Sequence, residues 1–188
     1  MVAASSKSAV PVESALHQMA VPLAPGSLAP GFVLPDADMD TFDLGEATAR
    51  HIVVLCFYPR DGGPVCTRQA IEFSDHDQAF SDQGAIVVGV SPDDCLTHAA
   101  FRDEHGLSMR LLSDEEGEVC RLYGVWMSGV GEKCSRVRRA IFVIDRQGHI
   151  RQTYQDMNAP GLATEVLKQI RKLARNPHGN RQEHGRDA

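Results

Sequence analysis

Three stretches of the chain are apolar without alternation: His51-Ile-Val-Val-Leu-Cys-Phe-Tyr58, Ala85-Ile-Val-Val-Gly-Val90 and the interior of Arg139-Ala-Ile-Phe-Val-Ile-Asp145. Runs of this kind predict strands covered on both faces, as in sheets flanked by helices. Between them the period changes. Cys66, Ala70, Phe73 and Phe80 share one face of a predicted helix from Val65 or Cys66 to about Phe80, with Asp77 as its polar exception. Ser91-Pro-Asp-Asp94 is a helix-start signal with its proline near the first turn, and Gly106 ends that helix after His105. Leu111-Leu112 predicts a short strand, and Ser113-Asp-Glu-Glu116 has the form of a capping box that opens a helix to about Tyr123. Asp145-Arg-Gln-Gly148 turns the third apolar run into a strand at His149–Tyr154, a predicted hairpin. Leu162, Val166, Leu167, Ile170 and Leu173 recur at helical spacing and predict an amphipathic last helix.

The ends carry weaker patterns. Residues 1–25, rich in Ala, Ser, Val and Pro, read as a loosely packed arm with room for one short helix at Ser14–Met19. Gly26–Pro35 is a short extended piece pinned by prolines, and Asp38-Met-Asp40 predicts a turn before a short strand at Thr41–Leu44. Residues 176–188 are polar and read as a disordered tail. Strands that alternate with helices, closed by a hairpin, predict one α/β domain over residues 26–175 with a central mixed sheet flanked by helices.

Composition narrows the function. The 188 residues are 43% hydrophobic and 23% charged, ordinary for a globular chain that builds a core without disulfide staples. A net charge of −6 argues against nucleic acid as a partner, and the short basic cluster Arg136-Val-Arg138-Arg139 does not overturn it. No apolar stretch approaches the ~20 residues of a membrane span, and the first residues lack the compact apolar block of a secretory signal. The cytoplasm is the expected compartment, which disfavours structural disulfides. The five cysteines, Cys56, Cys66, Cys95, Cys120 and Cys134, form no C-x-x-C pair. That removes zinc-ribbon and dithiol-reductase readings, and no histidine pair at helical spacing supports a metal site.

Cys66 stands apart from the other four. It follows the first apolar strand across the loop Pro59-Arg-Asp-Gly-Gly-Pro64, where a helix begins. Unpaired N–H groups and a partial positive charge at a helix start favour the thiolate, which is the nucleophile. Such settings lower a thiol from about 8.5 to roughly 3.5–7.5. At ~1.4 kcal/mol per unit, a two-unit shift takes about 3 kcal/mol of preferential anion stabilisation. One helix terminus supplies at most ~2 kcal/mol, so a further cation, an arginine, is expected nearby. Set against this is the bland reading of a small buried residue at a loop–helix junction.

The wider sequence resembles the peroxiredoxin family, in its bacterioferritin-comigratory (peroxiredoxin Q) branch. The likeness rests on Phe57-Tyr58-Pro59-Arg-Asp-Gly-Gly63-Pro64-Val65-Cys66-Thr67, on Ala29-Pro30-Gly-Phe32 and on Gly89-Val-Ser91-Pro-Asp93. It continues through Leu111-Leu-Ser113-Asp114, Tyr123-Gly-Val125-Trp126 and Arg139-Ala-Ile-Phe142, and spans roughly residues 26–174 in order. The resemblance implies a thioredoxin-like fold that reduces hydrogen peroxide or organic hydroperoxides. It implies Cys66 as the peroxidatic cysteine, Pro59 as its shield from water and Arg139 as the missing cation. Backbone N–H groups of Gly63, Val65 and Cys66 would hold the peroxide. The sulfur carries the electrons, so no cofactor or metal is expected. Thioredoxin, glutaredoxin or a small thiol is the expected reductant, no membrane or nucleic acid takes part, and the expected state is a monomer or homodimer.

The chain departs from the pattern at one place. The family's Thr or Ser three residues before the cysteine is Gly63 here. This predicts a slower peroxidase or an altered substrate preference, and it keeps open a rival reading as a redox-sensing or interaction protein with little turnover. The partner that resolves the sulfenic acid is also open. The positions the family uses are Ile71 and Arg102 in this chain. Cys95, seven residues before Arg102 and so close to two helical turns away, is one candidate. Cys134 in the Gly129–Ser135 stretch and an external thiol are the others.

Overall fold

The computed structural model describes residues 23–127, 136–156 and 160–175. The arm's possible helix at Ser14–Met19, the tail at 176–188 and Cys134 lie outside the described residues. The two longest apolar runs pair side by side. β3 (Ile52–Phe57) and β4 (Ala85–Ser91) are parallel, and β8 (Ala140–Ile144) pairs with β3 from the other side, antiparallel. β5 (Arg110–Ser113) extends the sheet beyond β4, and β9 (Ile150–Gln155) closes the other edge as the predicted hairpin with β8. The order is β5-β4-β3-β8-β9, a mixed five-stranded sheet with the thioredoxin-like arrangement.

Every residue of β3 and β8 is buried, because helices cover both faces. On one face α2 (Pro64–Asp75), α3 (Asp77–Ser81) and α6 (Leu162–Arg175) lie over Val54, Cys56, Ile141 and Val143. The alternate residues, Val53, Leu55, Phe57, Phe142 and Ile144, face α1 (Leu44–Arg50) and α5 (Glu118–Leu122). There Phe57, Tyr123 and Phe142 close on one another with ring centroids 5.1–5.7 Å apart. The Tyr123 hydroxyl donates to the Pro30 carbonyl at 2.8 Å, which fixes the chain entering the domain. α4 (Cys95–His105) packs beside β5 and ends on Gly106 in the left-handed conformation, as predicted. Two short antiparallel pairs stand outside the main sheet: β1 (Val33–Pro35) with β2 (Thr41–Asp43), and β6 (Trp126–Met127) with β7 (Arg136–Val137).

Three local readings need correction. The strand expected at Thr41–Leu44 ends at Asp43, because the Asp43 carboxylate accepts the N–H groups of Gly45 and Glu46 and starts α1. The long helix expected to Phe80 breaks at His76, whose Nδ1 binds the Glu72 carbonyl at 2.8 Å and ends α2. The expected capping box does not form. Ser113 donates to the Asp93 carbonyl, and the Asp114 carboxylate instead accepts from Val119 and Cys120 at the start of α5.

Candidate active site

β3 delivers the chain to the C-terminal edge of its parallel pair, and the loop 59–63 turns it back into α2. Gly62 makes that turn with φ +68°, a left-handed conformation that side chains rarely adopt. Gly63 is the N-cap of α2, Pro64 its first residue, and Cys66 lies in the first turn. Proline at that position costs no hydrogen bond, since the first N–H groups of a helix have no intrahelical acceptor. Val65 and Cys66 therefore offer first-turn N–H groups, and the first helical bond is Thr67 N–H to the Gly63 carbonyl at 2.8 Å.

Cys66 is buried, with 7% of its surface exposed. Burial pushes its thiol up, and the Asp61 charge adds to this. The Arg60 backbone N–H and the charge and hydrogen bonding of Arg139 pull the other way. The expected cation is thus present, yet desolvation outweighs it, and the thiol stands above its ordinary value. Helix position alone did not reveal that burial.

Cys66 borders a cavity of ≈ 40 Å³ whose walls include Cys56, Gln69, Arg139 and Tyr154. One water needs roughly 10–15 Å³ by this measure, so the space suits a small oxygen-containing group. Pro59 is half-buried and shares a groove with Arg139, Arg138 and Asp156 on a neighbouring surface. The structure thus brings Arg139, from the start of β8, to the segment that carries both Pro59 and Cys66. Tyr154 was not singled out from the sequence. It pairs with Ile141 across the hairpin, and its hydroxyl is buried with no hydrogen-bond partner among the described residues. Burial holds that phenol neutral, pushed up to about 12. The alternation of the hairpin could have placed Tyr154 on the inner face, but only the tertiary structure brings it to Cys66.

Gly63 has φ −69° and ψ 134°, ordinary extended values, so its backbone does not require glycine. A Cβ there would lie 3.5 Å from Cys66 Sγ, in normal van der Waals contact. The position has room for a side chain that this chain lacks. Gly89 is different. A Cβ on it would come within 3.0–3.1 Å of Leu111, Met109 and Tyr58, so glycine there lets Tyr58 and Met109 close behind the site.

The remaining thiols divide by burial. Cys56 and Cys120 are buried and pushed far up, chiefly by desolvation. Cys95, the first residue of α4, is half-buried, and Asp94 caps that helix by accepting from Thr97 N–H at 2.7 Å. Ile71 is partly exposed on α2, and Arg102 on α4 is held by Asp38 and Asp103 at 2.7 and 3.0 Å. Among the described residues no cluster of three or more metal-ligating side chains occurs, and no helix is long and apolar enough to cross a membrane.

Comparison with known proteins gives these features a family context. Residues 25–153 match the AhpC/TSA family. A Mycobacterium tuberculosis protein named among the peroxiredoxins is 37% identical over 150 residues, which is 79% of this chain and 95% of the relative. The crystal structure of peroxidoxin BcpB from the same organism is similar with a TM-score of 0.74 and 30% identity, covering 79% of this chain and 97% of that one. The bacterioferritin comigratory protein of Xanthomonas campestris, described for its alkyl peroxide reduction activity, is similar with a TM-score of 0.70 and 27% identity. The match covers 76% of this chain and 92% of that one.

Proposed function

We propose, from the premise that this chain belongs to the AhpC/TSA family and is a thiol-dependent peroxidase of the bacterioferritin-comigratory branch, that Cys66 is its peroxidatic cysteine. The observation that carries the assignment is the convergence on one sulfur of the α2 first turn, the Arg139 charge and a small cavity. The Cys66 thiolate attacks one peroxide oxygen. An S–O bond forms, the O–O bond breaks, and the departing hydroxide or alkoxide takes up a proton, leaving the sulfenic acid. Arg139 stabilises the thiolate and the negative charge that develops on the leaving oxygen, and the N–H groups of Gly63, Val65 and Cys66 bind the peroxide. Pro59 covers the thiolate on its solvent side.

Hydrogen peroxide and organic hydroperoxides are both within the proposed range, the latter favoured by the apolar walls that Phe73, Met109 and Leu162 give the cavity. Cys95 is the proposed resolving thiol. Of the described cysteines other than Cys66, it alone is not fully buried. Attack by Cys95 on the sulfenic acid forms the disulfide and releases water, after the first turn of α2 unwinds. Thioredoxin, glutaredoxin or a small thiol then reduces it. The compartment proposed is the cytoplasm, in keeping with the free thiols among the described residues, and the proposed state is a monomer or homodimer.

The test is peroxide consumption with dithiothreitol as reductant. Consumption that disappears in Cys66→Ser supports the assignment, and consumption that persists at the wild-type rate overturns it. Mass spectrometry after one equivalent of peroxide decides the second step. A Cys66–Cys95 disulfide peptide supports Cys95, whereas a lasting sulfenic acid on Cys66 assigns that step to an external thiol.

A further inference from the structure

Five residues before Cys66, Asp61 is tied down from several directions. Its carboxylate accepts the Tyr58 hydroxyl at 2.8 Å and meets His98 Nδ1 at 2.7 Å. Its backbone N–H donates to the Asp93 carboxylate at 2.8 Å, which also accepts the Ser91 hydroxyl at 2.6 Å. His98 belongs to α4 and is fully buried, with 0% of its surface exposed. Its second ring nitrogen, Nε2, lies 3.1 Å from the Leu112 carbonyl of β5. A carbonyl only accepts, so Nε2 carries a hydrogen. One proton then occupies the Nδ1–Oδ2 contact, on the ring or on the carboxyl, and in either case the pair is neutral as a whole. The peroxidase chemistry described above uses neither residue.

We propose that His98 is a positioning residue for the peroxidase reaction: by sharing its proton with Asp61 it cancels the carboxylate charge beside Cys66 and fastens the 59–63 loop to α4. The proposal rests on Cys66 as the reacting thiol. Two charges act on that sulfur from outside its own helix, Arg139 from the start of β8 in favour of the anion and Asp61 from the loop against it. An uncompensated carboxylate buried in the loop that leads into α2 would work against Arg139 at every turnover. Compensation at 2.7 Å by His98 leaves Arg139 as the dominant charge. Around the pair stand Tyr58 at the end of β3, Asp93 in the connection before α4, Asp94 at the α4 start and the Leu112 carbonyl of β5. Of these, Tyr58 is held neutral by burial and by Asp61 itself, so it adds a hydrogen bond and no charge.

The test follows alkylation of Cys66 by iodoacetamide across pH, read by mass spectrometry on the Cys66 peptide so that Cys95 does not enter. His98→Gln leaves the Asp61 charge uncompensated. The midpoint of the Cys66 titration should rise, and alkylation at pH 7 should fall roughly threefold to tenfold. Asp61→Asn removes a charge that His98 already cancels, so the midpoint should stay near the wild-type value, and the double variant should match Asp61→Asn. A purely structural clasp would loosen the loop in both single variants and move both midpoints the same way, or change only the alkylation plateau. Either result overturns the proposal, as does an unmoved midpoint in both. If His98→Gln does not fold, His98→Asn takes its place: an upward midpoint supports the proposal and a downward or unmoved one rejects it. Peroxide consumption surviving in Cys66→Ser would remove the reading on which this rests, and the alkylation midpoints would still report the Asp61–His98 effect separately.

Discussion

On one face of β3, Phe57 meets Tyr123 and Phe142 ring against ring, and the space is filled. On the opposite face, Cys56 of the same strand and Tyr58 just past its end border a cavity that reaches Cys66. Interlocking aromatics on the first face fix the middle of the sheet, including β8, which carries Arg139 into place at its start. The second face leaves room for a substrate and puts a helix start there, the least firmly bonded part of a helix. Stability and reactivity are thus assigned to opposite sides of a strand six residues long. The two thiols of the cavity repeat the division. Cys56 is locked in the strand and pushed up by desolvation alone, while Cys66 meets the same penalty with Arg139 and the Arg60 N–H opposing it.

Substitutions on the two faces should therefore fail in different ways. Cys66→Ser has the largest expected effect on function, reducing peroxide turnover to background with an unchanged melting temperature. Phe142→Ala, on the filled face, should cost about 3–5 kcal/mol of stability in denaturant titrations, while the folded fraction keeps its rate constant with peroxide. A matching loss of rate per folded molecule would break the division. Arg139→Gln should slow the reaction with peroxide by about 10²-fold in stopped-flow measurements, with little change in unfolding midpoint.

The pH dependence sharpens the comparison further. Cys56 and Cys120 stand above the ordinary thiol value in the folded protein. Above roughly pH 8.5 they ionise in the unfolded chain and stay protonated in the folded one. The folded state then binds more protons, so their contribution is intact below that pH and is lost as pH rises, by at most ~1.4 kcal/mol per unit for each thiol. Cys120→Ala should flatten this alkaline loss in chemical denaturation without altering turnover. The smallest effect is expected from Gly63→Thr. A side chain fits there and caps α2, so stability should change by no more than a few tenths of a kcal/mol. The second-order rate with peroxide should nonetheless rise, because a Cβ at this position lies 3.5 Å from Cys66 Sγ, which puts a hydroxyl within reach of the reacting atoms. An unchanged rate would show that Gly63 is no handicap.

The strands were legible because β3, β4 and β8 announce themselves as unbroken apolar runs, and Cys66 because a Pro/Gly loop follows the first of them. α1 was missed. Its seven residues are too few for periodicity, although Asp43 with Glu46 three positions later was a usable start signal. The break at His76 depends on a side chain bonding back to a carbonyl, which the apolar spacing of Phe73 and Phe80 conceals. At the site, a resemblance supplied Arg139 and Pro59, whereas the burial of Cys66 and the approach of Tyr154 are products of tertiary packing. The Asp61–His98 contact joins residues 37 positions apart and leaves no local trace.

Arg139 is held by its surroundings more firmly than the sulfur it serves. Its carbonyl accepts the Asp156 N–H at 3.0 Å, and the next five residues form a strand bonded on both sides in the middle of the sheet. Cys66 rides on a helical first turn, which opens at a small fraction of the cost of unfolding the molecule. In hydrogen-exchange experiments the amides of β8 should open only with the whole protein, and those of the α2 start well before. An excursion that carries the sulfur out to a reductant therefore leaves the guanidinium standing where it was. When the turn recoils, the thiol returns to a berth that never moved, and each catalytic cycle begins from the same electrostatic origin.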